Sequence, residues 1–272
     1  MNGQALEMPV LYAAVLVHVL AGTLAIAGIV FRRWPDRTVL ALLVLALALH
    51  GLAIALRWNR LGHGPFITMF EILLSNVWSL TFGFTIVYVW IKPIRPAAAV
   101  VVPVIFVMLA WLLASNPGEG FFPPTYDTIL LYIHVFFGKV FLASLFVALA
   151  PAGVVLLRRL GAGGGLVRMP DDESLDTLAY RFLALALIFD SLMLIAGAIW
   201  AQDAWGRYWD WDPLETWAFL TWLLLGFVLH ARLTFRPSAH VAAAMVYVVF
   251  VLAFLTFFGV PFVSMAPHKG VI

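Results

Sequence analysis

Continuously apolar runs of close to twenty residues recur along the whole chain, and that recurrence restricts the fold more than any other feature. A helix needs about twenty apolar residues to cross the hydrocarbon of a bilayer. Barrel strands would have to alternate between lipid and lumen, and these runs do not alternate. We read eight spans, at about 8–31, 38–57, 68–91, 97–114, 128–157, 182–200, 214–233 and 238–258. The fifth is long enough to tilt or to project from the bilayer. Composition agrees: of 272 residues, 64% are apolar and 11% charged, whereas a soluble domain is about half apolar and about a quarter charged. The expected fold is an all-α integral membrane protein, a polytopic bundle of eight helices forming a single membrane domain over 1–272.

The cations predict an orientation, because cytoplasmic loops collect Lys and Arg. With the N-terminus outside, the inner loops carry Arg32, Arg33, Arg37, Lys92, Arg95, Arg158, Arg159, Arg168, Arg181, Arg232 and Arg236. The outer segments carry Arg57, Arg60, Arg207 and Lys269, and Lys139 lies within the fifth span. Eleven against four places both termini, segment 115–127 and the loop after the sixth span outside the cytoplasm. Residues 158–181 are then a cytoplasmic connector, flexible at Gly163-Gly164-Gly165 and Asp171-Asp172-Glu173. The first run, about Met8 to Phe31, reads as a span and not a cleaved signal, since Glu7 precedes it with no Lys or Arg.

Two classes of function are excluded. The chain has no cysteine, so a disulfide scaffold, a Cys-ligated metal and a Cys nucleophile are ruled out, and any thiol chemistry needs a partner. Net charge is +2, and no Lys/Arg-rich run points to nucleic acid.

Between Trp200 and Trp222 lie six of the eleven tryptophans, together with Asp203, Asp210, Asp212 and Glu215. Single tryptophans at a bilayer interface are usually belt anchors. A cluster mixed with carboxylates between two apolar helices makes instead a surface for a large, flat, amphiphilic ligand, haem first. Part of the cluster has an architectural reading as well. Asp212-Pro213 suits an N-cap followed by Pro at the first helical position, and Glu215 then sits in the first turn, where the helix dipole favours it. Carboxylates repel haem propionates, so Arg57, Arg60 or Arg207 would suit them better.

The histidines supply candidate ligands, since imidazole is a common axial ligand of haem iron. His134 lies near the outer start of the fifth span and His268 in the outer tail, both on the side of the Trp-rich loop. His230 lies toward the inner end of the seventh span, and His18 and His50 are also within spans. Ionisable residues in membrane helices are functional candidates by default, although such a histidine also serves as a hydrogen-bonded packing residue. A ladder outward from His230 could pass haem across the bilayer. His240 reads as interfacial, and His63, between Gly62 and Gly64, caps a turn or acts at the outer face. Lys139 could snorkel, pair with an acid or contact a propionate.

Residues Trp205 to Trp217 read W-G-R-Y-W-D-W-D-P-L-E-T-W. This resembles the W-G-x-Y-W-x-W-D-P-x-E-T-W signature of CcsA/ResC-type cytochrome c synthases, within the tryptophan-rich "WWD" family of haem-handling proteins. The likeness extends to Leu56-Arg57-Trp58, Gly62-His63-Gly64-Pro65 and Phe70-Glu71, to His134-Val135, to His230, and to Gly259-Val260 with His268 beyond it. It covers roughly residues 50–270. Pro261, Lys269-Gly270 and Lys139 depart from the family pattern.

The resemblance implies a system II cytochrome c synthase. Haem b (iron protoporphyrin IX), a substrate and not a permanent cofactor, is received from the cytoplasmic side and presented outside. Thiols of a Cys-x-x-Cys-His motif in apocytochrome c then add to its vinyl groups. A CcsB/ResB-type membrane partner and thiol-reductant proteins are implied. So is the inner (plasma) membrane, or a thylakoid membrane if the source is a plastid or cyanobacterium. His134 and His268 would ligate the iron, with His230 a transit ligand and His50 a further one. Trp205, Gly206, Trp209, Trp211, Arg57 and Arg207 would hold the haem, while Trp205, Tyr208, Trp209, Trp211 and Asp212 would serve the attachment. Two alternatives stay open: a haem exporter or chaperone without ligation chemistry, and a non-catalytic assembly scaffold of haem biosynthesis.

Overall fold

The computed structural model describes residues 4–162, 164–166 and 169–263, and among these every regular element is helical. The membrane helices are α1 (Gln4–Val30), α2 (Asp36–Leu61), α3 (Met69–Trp90), α4 (Ala98–Ala114), α5 (Ile129–Arg159), α6 (Asp172–Trp205), α7 (Pro213–Phe235) and α8 (Ala239–Phe254). Each of the eight, α4 with the 3₁₀ turn before it and α8 with the π turn after it, is long and apolar enough to cross a membrane. The chain divides into two compact units: residues 1–121 with 160–170, and residues 122–159 with 171–272.

The first unit is built on α1 to α4. α2 runs to Leu61 and stops where Gly62 turns left-handed at φ 78°, its N–H closing on the Trp58 carbonyl. α3 begins with a capping box: the Glu71 N–H donates to the Thr68 hydroxyl, and the Glu71 carboxylate accepts from the Thr68 N–H. At the end of the unit where α1 and α3 begin and α2 ends, Arg57 is fully buried. Its Nε donates to Glu71 (3.0 Å), Nη1 to Glu7 (2.8 Å) and the Pro117 carbonyl (3.1 Å), and Nη2 to the Gly118 carbonyl (3.0 Å), with Nη2 also 2.9 Å from the Glu71 carboxylate as an ion pair. All three guanidinium nitrogens are thereby engaged. Arg60 adds bonds to Glu7 and Glu119. The opposite end is tied by Arg95 pairing with Asp36, which also accepts from the Tyr88 hydroxyl.

The second unit is built on α5 to α8. Every residue from Ser144 to Val155 of α5 is buried, as expected of a helix that is apolar on all sides. α6 buries one seam: Leu175, Ala179, Leu183, Ala186, Asp190, Met193, Ala196 and Trp200. Spacings of three and four keep these on one helical face. α6 also corrects the expected connector over 158–181. It begins at Asp172, ten residues before the expected start of the span, because the Asp171 carboxylate accepts from Ser174 N at 2.8 Å as an N-cap. The acidic triplet that read as flexible is a helix start. At the other end of the unit α8 passes into a π turn, Leu255–Gly259. There the Thr256 hydroxyl lies 3.0 Å from that of Thr221 on α7.

Candidate functional site

The start of α5, the end of α6, the start of α7 and the end of α8 meet at one end of the second unit, with the Trp-rich loop over them. His134, in the second turn of α5, is half-buried there. Its Nδ1 lies 2.9 Å from the Met193 carbonyl. A carbonyl only accepts, so Nδ1 carries the proton and Nε2 the lone pair. This is how metal-binding histidines are commonly oriented. The ring stacks on Trp200 at 5.9 Å and 22°. Gly197 makes the approach possible, because a Cβ there would lie 2.8 Å from His134 Nδ1 and Cε1.

Trp200 anchors a first aromatic cluster, meeting Tyr126 edge-on at 4.9 Å and Trp205 at 5.0 Å. Tyr126 is buried in a short 3₁₀ turn, Pro124–Tyr126. Burial, and secondly the Asp212 charge, push its hydroxyl up to about 12, so it stays protonated at neutral pH. A second cluster follows the loop: Trp209 meets Trp211 edge-on at 5.7 Å and Phe219 at 6.2 Å, and Phe219 stacks on Trp222. Trp222 donates to the Ser191 hydroxyl at 2.8 Å.

The loop backbone is set by three devices. Gly206 ends α6 in the left-handed region at φ 76°. Trp211 takes φ 57°, uncommon for an aromatic residue, and this turns its ring outward. Asp212 is the N-cap of α7, accepting from Glu215 N at 2.9 Å with Pro213 at the first helical position. Glu215 in turn accepts from Asp210 N at 2.8 Å. Two of the loop acids therefore hold the turn.

The expected site residues separate into groups. His134, Trp205, Gly206, Arg207, Tyr208, Trp209, Trp211 and Asp212 share this end of the second unit. The aromatic rings, expected as one platform, do not lie in one plane. Tyr208 and Trp211 stand 61% and 68% exposed, while the Trp209 indole nitrogen is buried without a hydrogen-bond partner among the described residues. Arg207 is exposed and pairs with Asp210 at 2.5 Å. Such a surface pair is worth about 0–1 kcal/mol, so Arg207 can turn to another anion at little loss. Arg57 does not fit the propionate role expected of it. It belongs to the first unit, fully buried and already bonded to Glu7, Glu71 and the Pro117 and Gly118 carbonyls. His50 is buried in the first unit with Nδ1 3.2 Å from His18 Nε2. His230 is exposed on α7, its Nε2 3.3 Å from the Thr234 hydroxyl. His268 lies outside the described residues. Sequence reasoning missed Tyr126, Gly197 and the Met193 carbonyl. Only Gly197 left a trace, as a glycine inside a span.

The family model described as Cytochrome C assembly protein matches residues 34–268. The chain is 27% identical over 269 residues to cytochrome c biogenesis protein CcsA of Prochlorococcus marinus (strain MIT 9301), covering 89% of this chain and 87% of that protein. The protein of the same name from Prochlorococcus marinus (strain MIT 9515) is 30% identical over 250 residues, covering 80% and 78%. That of Chlamydomonas reinhardtii is 28% identical over 226 residues, covering 80% and 64%. Among solved structures, a cytochrome c haem lyase CcmF superposes with TM-score 0.68 at 19% identity, over 95% of this chain and 47% of that one. At this identity the likeness concerns the fold, and the present chain spans about half the length of that structure.

Proposed function

The chain belongs to the cytochrome c assembly protein family, and from that premise we propose that it moves haem b across the membrane and presents it for covalent attachment to apocytochrome c. The single observation that carries the reading is the His134–Met193 hydrogen bond. It puts the proton on Nδ1 and the lone pair on Nε2, the tautomer an iron-binding imidazole takes, on a ring backed by Trp200 and one turn from the WWD loop. His268 is the proposed second axial ligand, and His230 the proposed station on the way. The positive-inside count supports a loop facing away from the cytoplasm. The bilayer is the plasma membrane, or a thylakoid membrane in a plastid or cyanobacterium.

The attachment needs positioning more than acid–base power. Each cysteine sulfur bonds to one vinyl carbon, and the thiol hydrogen ends on the other, so no oxidant is consumed. Holding thiol and vinyl together can contribute much of the rate. Trp205, Trp209 and Trp211 bound the haem edge, Tyr208 and Trp211 lie outermost to meet the client, and Arg207 exchanges Asp210 for a propionate. Asp212 holds the turn that presents them. A CcsB/ResB-type partner completes the synthase, and thiol-reductant proteins keep the client cysteines reduced.

The test is the oxidised and reduced absorption spectrum of the detergent-purified protein, with a pyridine haemochrome assay. Non-covalent b-type haem whose α-band shifts in His134→Ala is the expected result. A loaded protein with an unchanged spectrum in that variant would remove His134 as the ligand. Transfer to a Cys-x-x-Cys-His peptide then separates attachment from export alone.

A further inference from the structure

α6 carries a carboxyl group that the proposed chemistry does not use. Asp190 lies midway along the helix, is fully buried, and has no hydrogen-bond partner at either oxygen among the described residues. The adjacent Ser191 does not serve it. That hydroxyl donates to the Leu187 carbonyl and accepts from Trp222. Asp190 occupies the buried seam between Ala186 and Met193, and Met193 is the residue whose carbonyl orients His134. At 1.5 Å rise per residue, Asp190 lies about 4.5 Å before Met193 along the helix axis, on the side away from the Trp-rich loop. Around it the packing is apolar: Phe189 meets Phe137 at 6.0 Å, and Gly138 abuts the Met193 thioether.

A buried carboxyl without donors must be neutral or must answer a positive charge nearby. The titratable groups on the elements packed around it are Tyr132, His134, Lys139, Arg158 and Arg159 on α5, and Tyr247 and His240 on α8. α7 carries none between Glu215 and His230. None of these is hydrogen-bonded to Asp190. The proposed ligand of His134 supplies the missing charge. The iron–porphyrin unit carries one net positive charge when ferric and none when ferrous.

We propose that Asp190 is the buried counter-charge of the haem iron at His134, ionised beneath ferric haem and protonated beneath ferrous haem. The inference rests on the haem-handling reading above. On reduction, one electron passes from an external one-electron donor to Fe(III), giving Fe(II). One proton passes from water to the Asp190 carboxylate, giving the acid. No bond to the haem forms or breaks. The interior stays neutral in both states, and the ferric state is stabilised relative to a site without the carboxyl.

The experiment uses the haem-loaded full chain, with dithionite as the reductant. Wild type, Asp190→Asn and Asp190→Glu are compared by redox-difference infrared spectroscopy and by potentiometric titration across pH. In wild type the carbonyl stretch of a protonated carboxylic acid grows on reduction. It is absent from Asp190→Asn and shifted in Asp190→Glu. The midpoint potential falls with pH more steeply in wild type than in Asp190→Asn, and the variant is the more easily reduced. The propionates contribute equally to both, so the difference isolates Asp190. Loaded proteins with the same infrared difference and the same pH dependence overturn the proposal while leaving the haem reading intact. Wild type that takes no haem overturns both. If Asp190→Asn fails to load, the band of Asp190→Glu decides, and an unshifted band counts against the proposal.

Discussion

Gly197→Ala should weaken the haem site through the placement of His134 alone. A Cβ on Gly197 would stand 2.8 Å from Nδ1 and Cε1 of His134, against 3.4 Å at the near edge of ordinary contact. The imidazole must therefore retreat from α6 by about 0.6 Å, the difference between those distances. The Met193 carbonyl is on the same helix, so the retreat lengthens the bond that fixes the tautomer. From 2.9 Å it would reach about 3.5 Å, beyond the 2.7–3.2 Å range of N–H···O bonds. Disturbing the group that orients a metal-binding histidine typically lowers metal affinity about 10–100-fold. A loss of that size is the expected outcome, with a shifted α-band.

The assay is haem titration into the purified apo-protein, followed in the Soret region, with Gly226→Ala as the matched control. Gly226 is also a glycine in a membrane helix, and a Cβ there meets nothing within 4 Å. Both substitutions raise helix propensity by about 1 kcal/mol, so a general folding defect should not separate them. Gly197→Ala with wild-type affinity and spectrum would refute the reasoning, because the ring would then not be held by α6 in the manner its ligand role requires.

Other outcomes follow from the same geometry. Arg57→Gln should destabilise the protein by about 3–5 kcal/mol in detergent unfolding, since it leaves Glu71 buried without its cation and Glu7 with Arg60 alone. Arg57→Lys should recover little, an ammonium lacking the planar five-donor fork. Asp212→Ala should lower stability by about 1 kcal/mol through loss of the α7 cap, and Asp212→Ser should restore most of it. If Ser restores stability but not peptide attachment, Asp212 has a chemical role besides the cap. Tyr126 gains a proton affinity on folding, from about 10 in the unfolded chain to about 12. Its contribution to stability is therefore complete below pH 10 and lost as pH rises through 12. Tyr126→Phe should flatten the stability profile in that window, and an unchanged profile would show that burial does not raise the Tyr126 hydroxyl.

What could be read in the sequence depended on the range of the interaction. The eight spans were legible because each is a local property of some twenty consecutive residues. The WWD signature was legible because thirteen residues from Trp205 to Trp217 carry it in register. The cap at Asp212 was legible from the following proline, whereas Asp171 is followed by no proline and a glycine-rich approach disguised its helix start. Arg57 was misread for a different reason. Its partners Glu7 and Glu71 lie 50 and 14 residues away, so nothing local distinguished a structural guanidinium from one offered to a propionate. The orientation of His134 was invisible in principle, because its acceptor is a backbone carbonyl and every residue has one. Asp190 is the instructive case. A lone carboxylate inside the apolar run 182–200 was visible, and intramembrane acids are rare enough to demand a reason. The fold shows what spacing alone would have suggested: Asp190 and Met193 are one turn apart on the single buried seam of α6. A charge arriving at His134 would therefore act on a carboxyl in that seam that has no donor among the described residues.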